Sequence, residues 1–130
     1  AQISAMELQD RIAGGEGIQI VDVRNPGEWA TGHIARAHLK PLGKFTATLA
    51  PVPDAGHAFF AGLDPAQPVA VHCKTGYRSA IAASLLERVG FTTVVNVLGG
   101  FDAWRLQKLP MEVPGPAGNA QSTAQAGKIS

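Results

Sequence analysis

Apolar positions along the chain switch between two spacings. Ala5, Leu8 and Ile12 recur at helical intervals behind Ser4, which forms a capping box with Glu7, and Gly14-Gly15 stop the helix. The run Ile18 to Val23 is short, mostly apolar and β-branched, as expected of a buried parallel strand. Asn25-Pro26-Gly27 breaks it and predicts a short helix through Glu28 to Ala30. Val69 to His72, bounded by Pro68, reads as the next strand. From Ser79 onward, Ile81, Ala82, Leu85, Leu86 and Val89 make an apolar helical face, and Gly90 sits where a C′ glycine belongs. Phe91 to Leu98, rich in valine and threonine, is a further strand; Gly99-Gly100 turn the chain into a short helix through Trp104, and Pro110 ends the ordered part.

Strands alternating with helices predict an α/β domain with a mainly parallel sheet over residues 1–111. Residues 41–68 are the least legible, with Pro41, Pro51, Pro53, Pro65 and Pro68 leaving room for short helices near Phe45–Leu49 and His57–Phe60. Residues 112–130 hold glycines, prolines and small polar residues but no aromatic, so the expectation is a disordered tail that buries too little to offset its ordering entropy. Trp29 and Trp104 are expected in the core.

Composition narrows the classes of function. At 130 residues the chain fits one domain, with 45% hydrophobic and 16% charged residues. A formal net charge of +1 gives no global attraction towards nucleic acid or an anionic membrane, so any bound anion must be held locally. No stretch approaches the roughly 18 apolar residues of a membrane span and no signal peptide is visible, which leads to the expectation of a cytoplasmic protein. The chain begins at Ala1 rather than a methionine, compatible with a processed form or a piece of a longer protein. Its single cysteine excludes an internal disulfide and a multi-cysteine metal site. His33, His38, His57 and His72 are scattered, and His72 and Cys73 point to opposite faces of a strand end, so no metal site is expected.

The chemistry concentrates in Val69-Ala70-Val71-His72-Cys73-Lys74-Thr75-Gly76-Tyr77-Arg78-Ser79. A thiol stands where a buried strand ends and a loop opens into a helix N-terminus, the position at which parallel sheets bind ligands. Unpaired N–H groups and the helix dipole favour negative charge there. Lys74 and Arg78 add positive charge, and Gly76 lets the loop curl so that its amides point inward. A lone cysteine is more often packing than catalysis. Here Gly, Lys and Arg within five residues at a strand–helix junction favour chemistry, and predict a thiol pKa below its ordinary value.

In these segments the chain resembles the rhodanese family. The first block is Val21-Asp22-Val23-Arg24-Asn25-Pro26-Gly27-Glu28-Trp29, leading to Gly32-His33-Ile34 and Ala37; the second is Cys73 to Ser79; the third is Gly90-Phe91, Leu98-Gly99-Gly100, Trp104 and Leu109-Pro110. The resemblance implies a small parallel sheet with helices on both faces, in three layers. It implies sulfane-sulfur transfer through a Cys73 persulfide, with no metal or organic cofactor. Donors would be small sulfur-containing anions such as thiosulfate, or low-molecular-weight persulfides; acceptors would be thiols or cyanide. Amides of residues 74–78 (Lys74, Thr75, Gly76, Tyr77 and Arg78) would cradle the persulfide, with Lys74 and Arg78 orienting an anionic donor. Tyr77 would line the mouth. Asp22 and Arg24 match an Asp-x-Arg of the family, either supporting the loop or simply pairing to hold the strand end. Glu28 and His33 would fix the connection after that strand. Where many members read Gly-His-Ile-Pro-Gly-Ala, this chain has Gly32-His33-Ile34-Ala35-Arg36-Ala37, which adds a charge and removes no catalytic atom. Residues 42–67 carry no family signature, leaving acceptor specificity open.

Two other readings compete. Cysteine phosphatases need five residues between cysteine and arginine, whereas four separate Cys73 from Arg78, and no aspartate stands in an evident general-acid position. Alternatively the chain is the rhodanese module of a larger fusion, for example with a persulfide-oxidising metallo-hydrolase-like domain, acting as sulfur carrier or binding module.

Overall fold

The computed structural model describes residues 2–44 and 62–113. The helices proposed near Phe45–Leu49 and His57–Phe60, and the tail from residue 114, lie outside the described residues. The elements run β1 (Gln2–Ile3), α1 (Ala5–Ala13), β2 (Gln19–Asp22), α2 (Pro26–Ala30), β3 (His33–Ile34), β4 (His38–Leu39), β5 (Val69–His72), α3 (Tyr77–Arg88), β6 (Val94–Val97), α4 (Gly100–Leu106) and β7 (Met111–Glu112). Five strands form a sheet in the order β1-β6-β5-β2-β4, every neighbouring pair parallel. β3 and β7 pair antiparallel as a separate ribbon, His33 opposite Glu112. The chain is thus an α/β fold with a mainly parallel sheet, as the pattern of strands and helices predicts.

Local chemistry accounts for the helix starts. Ser4 Oγ accepts the Glu7 N–H while the Glu7 carboxylate accepts the Ser4 N–H, and Asn25 and Glu28 repeat the same reciprocal cap at α2. Alternation along the strands then divides the core. Val21, Val23, Val69, Val71, Cys73 and Val94 face α3, where Ala82 and Leu86 meet them. Ile20, Ala70, Val95 and Val97 face the other way, packing with Ala5 and Leu8 of α1 and Phe101 and Trp104 of α4. Helices therefore cover both faces, and the centre of the sheet is dry on each side.

Several boundaries differ from the sequence reading. α3 buries Ser79, Ala82 and Leu86, while Ile81 and Val89 are exposed, so its inward stripe is narrower than its apolar residues suggest. The strand expected over Phe91–Leu98 contracts to Val94–Val97. Trp104 is core, its indole N–H donating to Pro110 O at 2.8 Å, but Trp29 is half-buried and stacks on His33 with ring centroids 3.6 Å apart. Glu112, which falls in the expected tail, is the last residue of β7.

Candidate active site

Cys73 follows directly on the central strand β5, at the carboxyl end of the sheet, and is 1% exposed. The next residues curl before α3 begins. Gly76, with φ of +124°, occupies a backbone region that side chains rarely enter, and this turns its N–H onto Cys73 Sγ at 3.1 Å. Ser79, one turn into the helix, places Oγ 3.5 Å from the same sulfur. Behind it stands Asn96 of β6, whose Oδ1 accepts from the Ser79 hydroxyl at 2.5 Å. Ser79 Oγ also lies 3.1 Å from Gly76 O. The hydroxyl carries one hydrogen and faces three acceptors once the sulfur is ionised. The thiol can donate to Ser79, and the thiolate can receive from it, with only a rotation of that O–H bond.

These donors set the acidity of the sulfur. Burial pushes the Cys73 thiol up, but the Ser79 hydroxyl and the amides of Ser79, Gly76 and Thr75 outweigh it, and the net result lies below the ordinary thiol value. The direction and the role of the loop amides are those the sequence predicts; the Ser79 hydroxyl is a further cause, and the two nearby cations contribute less than expected. Lys74 Nζ is 3.0 Å from Asp102 Oδ2, and Arg78 makes a two-pronged pair with Glu28 at 2.8 and 2.9 Å. Both cations already have partners. The neutral donors of the loop do most of the work on the sulfur.

The opposite face of the sheet holds the loop from below. Asp22 and Arg24 form a buried pair, 0% and 3% exposed, with the guanidinium Nη2 2.7 Å from Asp22 Oδ2 and 2.7 Å from Gly32 O. Neither residue touches the loop amides. Arg24 acts at one remove: its guanidinium carbon lies 4.1 Å over the Phe101 ring centroid, and the Phe101 N–H donates to Cys73 O at 2.7 Å. The Asp102 N–H donates to Lys74 O at 2.9 Å. That approach is possible because Gly100 has φ of +55° and no side chain; a Cβ there would sit 2.5 Å from Cys73 O. His72 is fully buried, and burial pushes its pKa down, leaving the ring neutral. Its Nδ1 is 3.2 Å from Cys73 O, which assigns the single ring hydrogen to Nδ1 and gives that carbonyl a second donor. His72 Nε2 has no hydrogen-bond partner and lies 3.8 Å from Asp22 Oδ2.

The structure thus gathers Cys73, Lys74, Thr75, Gly76, Tyr77 and Arg78 in one loop, with Asp22 and Arg24 beneath it. Tyr77 is 78% exposed at the rim. His33 is buried in the β3–β7 ribbon, stacked on Trp29, with Nδ1 3.1 Å from Ile34 O, which matches its expected place in the connection after β2. Sequence reasoning assigned no role to Ser79 or Asn96 and did not foresee that Glu28 would meet Arg78. Asn96 had a signal, a lone amide within Val94-Val95-Asn96-Val97. Glu28 had none, since it lies 50 residues from Arg78.

Comparison with known proteins agrees with this geometry. The Rhodanese-like domain family model matches residues 4–107. The probable adenylyltransferase/sulfurtransferase MoeZ of Mycobacterium tuberculosis is 33% identical over 83% of this chain, which spans only 25% of that protein. A sulfurtransferase of Allochromatium vinosum is 29% identical over 87% of this chain and 95% of its own length. The human single-domain sulfurtransferase TSTD1 superposes with a TM-score of 0.67 at 27% identity, covering 84% of this chain and 97% of that one. With the family's three sequence blocks converging on one cysteine loop, the chain belongs to the rhodanese-like family.

Proposed function

We propose that this protein is a rhodanese-type sulfurtransferase that carries sulfane sulfur on Cys73. The observation that carries the reading is the sulfur itself, held at 3.1 Å by the Gly76 N–H and backed by Ser79 at the carboxyl end of β5. The Cys73 thiolate attacks the outer sulfur of thiosulfate or of a low-molecular-weight persulfide. The donor S–S bond breaks, and sulfite or a thiolate leaves with the electron pair. The new persulfide places its outer sulfur in the loop, where the amides of Thr75, Gly76 and Ser79 stabilise the negative charge. A thiol or cyanide then attacks that sulfur and regenerates Cys73. The chemistry draws on no metal or organic cofactor. A thiol that must stay reduced between turnovers suits the cytoplasm; among the described residues no helix is long and apolar enough to cross a membrane.

The experiment is intact-protein mass spectrometry after incubation with each donor, with and without a thiol reductant. A reducible gain of one sulfur atom, absent in Cys73→Ser, is the expected result. No gain with either donor, from folded protein with a free thiol, would overturn the proposal. A second reading is a carrier module within a longer chain, favoured by one observation: the chain spans a quarter of the MoeZ sequence it matches. A partner domain that strips sulfur from Cys73 faster than cyanide or free thiols would distinguish it.

A further inference from the structure

Among the described residues, three cations beside or beneath the Cys73 loop are each matched by a carboxylate. Arg24 is paired with Asp22, Arg78 with Glu28 through both guanidinium nitrogens, and Lys74 with Asp102. The charge of these six described side chains therefore sums to zero. The Glu28 carboxyl is held down to about 2, chiefly by its bonds to Arg78, so it stays charged at any working pH. The Gly76 turn lies against the backbone of Gly99, a methyl at Gly76 falling 3.9 Å from Gly99 N, and the flanking Tyr77 and Leu98 are 78% and 46% exposed.

A dianion such as thiosulfate gains little from these paired side chains. Arg78 has donors left, but Glu28 and Asp102 repel each added negative charge about as much as Arg78 and Lys74 attract it. A persulfide, R–S–SH, brings at most one negative charge at its reacting end, against two on thiosulfate, and an organic group that can rest on Tyr77 and Leu98. We infer that Glu28 and Asp102 are specificity-determining residues that tune this site towards the persulfides of thiols and away from dianionic sulfur donors. The inference rests on the sulfurtransferase reading and names the donor class for it. In the favoured half-reaction Cys73–S⁻ and R–S–SH give Cys73–S–SH and R–S⁻: one S–S bond forms, one breaks, and the thiolate leaves with the electron pair.

Glu28→Gln tests this cleanly, because glutamine retains the reciprocal cap with Asn25 while removing the charge. Asp102→Asn does the same for Lys74 on a different element. Sulfur loading of Cys73 is measured for each variant with thiosulfate and with cysteine persulfide, at low and at high salt. The expected result is a ratio of kcat/KM, thiosulfate over persulfide, that rises about tenfold in Glu28→Gln and by a smaller factor in the more exposed Asp102→Asn, the gain shrinking with added salt. A ratio that stays within twofold, or falls, overturns the assignment even where Cys73 loads normally. Failure of wild-type Cys73 to load from either donor is a different outcome, since it removes the sulfurtransferase reading itself and the specificity claim with it.

Discussion

Gly100 joins the fold to the chemistry, and replacing it with alanine measures how tightly. A Cβ at this position would lie 2.5 Å from Cys73 O and 2.8 Å from both Lys74 C and Lys74 O. All three are backbone atoms, so no side chain can swing aside; either the loop or the start of α4 must move. Alanine in the left-handed region at φ +55° costs about 1–2 kcal/mol. Displacing α4 weakens the Phe101 N–H to Cys73 O and Asp102 N–H to Lys74 O bonds, each worth about 0.5–1.5 kcal/mol. The expected loss is therefore about 3 kcal/mol in urea-induced unfolding. The chemical consequence is separate. With the Cys73 carbonyl released, the amides that follow it no longer converge on Sγ, so the thiol pKa, read from the pH dependence of alkylation, rises towards its ordinary value. Gly43→Ala is the control, since a Cβ there meets no atom of the described residues within 4 Å. A Gly100→Ala protein within about 1 kcal/mol of wild type, with an unchanged thiol pKa, would refute the clamp.

Ser79→Ala removes the side-chain donor that most lowers the thiol. The pH midpoint for Cys73 alkylation and for sulfur loading moves up, and an unmoved midpoint would assign the acidity to the backbone amides alone. Wild-type loading itself rises with pH through the depressed thiol pKa and then levels off. Arg24→Ala strands the Asp22 carboxylate at 0% exposure and should cost about 3–5 kcal/mol in chemical denaturation; a loss under about 1 kcal/mol would mean that Asp22 finds another partner or a proton. Glu28 has its pKa lowered from 4.5 to about 2, so its contribution is complete above 4.5 and fades as pH falls towards 2. Because the pair is partly solvated the amount is small, about 1 kcal/mol, and acid titrations of wild type and Glu28→Gln should converge below pH 2.

What the sequence makes legible follows from how local each signal is. α1 is readable because Ser4, Glu7 and Gly14 state its start and stop within ten residues, and the Cys73 loop because thiol, glycine and helix start are contiguous. β1, β3, β4 and β7 are two residues long, too short to show any period, and exist because a neighbouring strand or ribbon completes them. Ile81 and Val89 look like core in a helical wheel, but the sheet meets α3 along the narrower line of Ser79, Ala82 and Leu86. The pairings of Arg78 with Glu28 and Lys74 with Asp102 are tertiary facts: nothing in a linear reading separates a free cation from one neutralised by a residue 28 or 50 positions away.

Those pairings also explain why the site is built across the sheet rather than on one face of it. Residue parity sends Cys73 to the α3 side, where Ser79, backed by Asn96, reaches its sulfur, and sends His72 to the α4 side, where Phe101 rests under Arg24. The Cys73 carbonyl, held by Phe101 N–H and His72 Nδ1, is fixed from the second face while its sulfur is served from the first. A nucleophile that depends on several neutral donors, each worth little alone, needs its backbone fixed to within a few tenths of an ångström, because hydrogen bonds weaken steeply with misalignment. Charged side chains would tolerate a looser loop. The buried Asp22–Arg24 pair and the glycine turn before α4 are therefore the structural counterpart of a sulfur whose acidity comes from amides and a hydroxyl rather than from lysine or arginine.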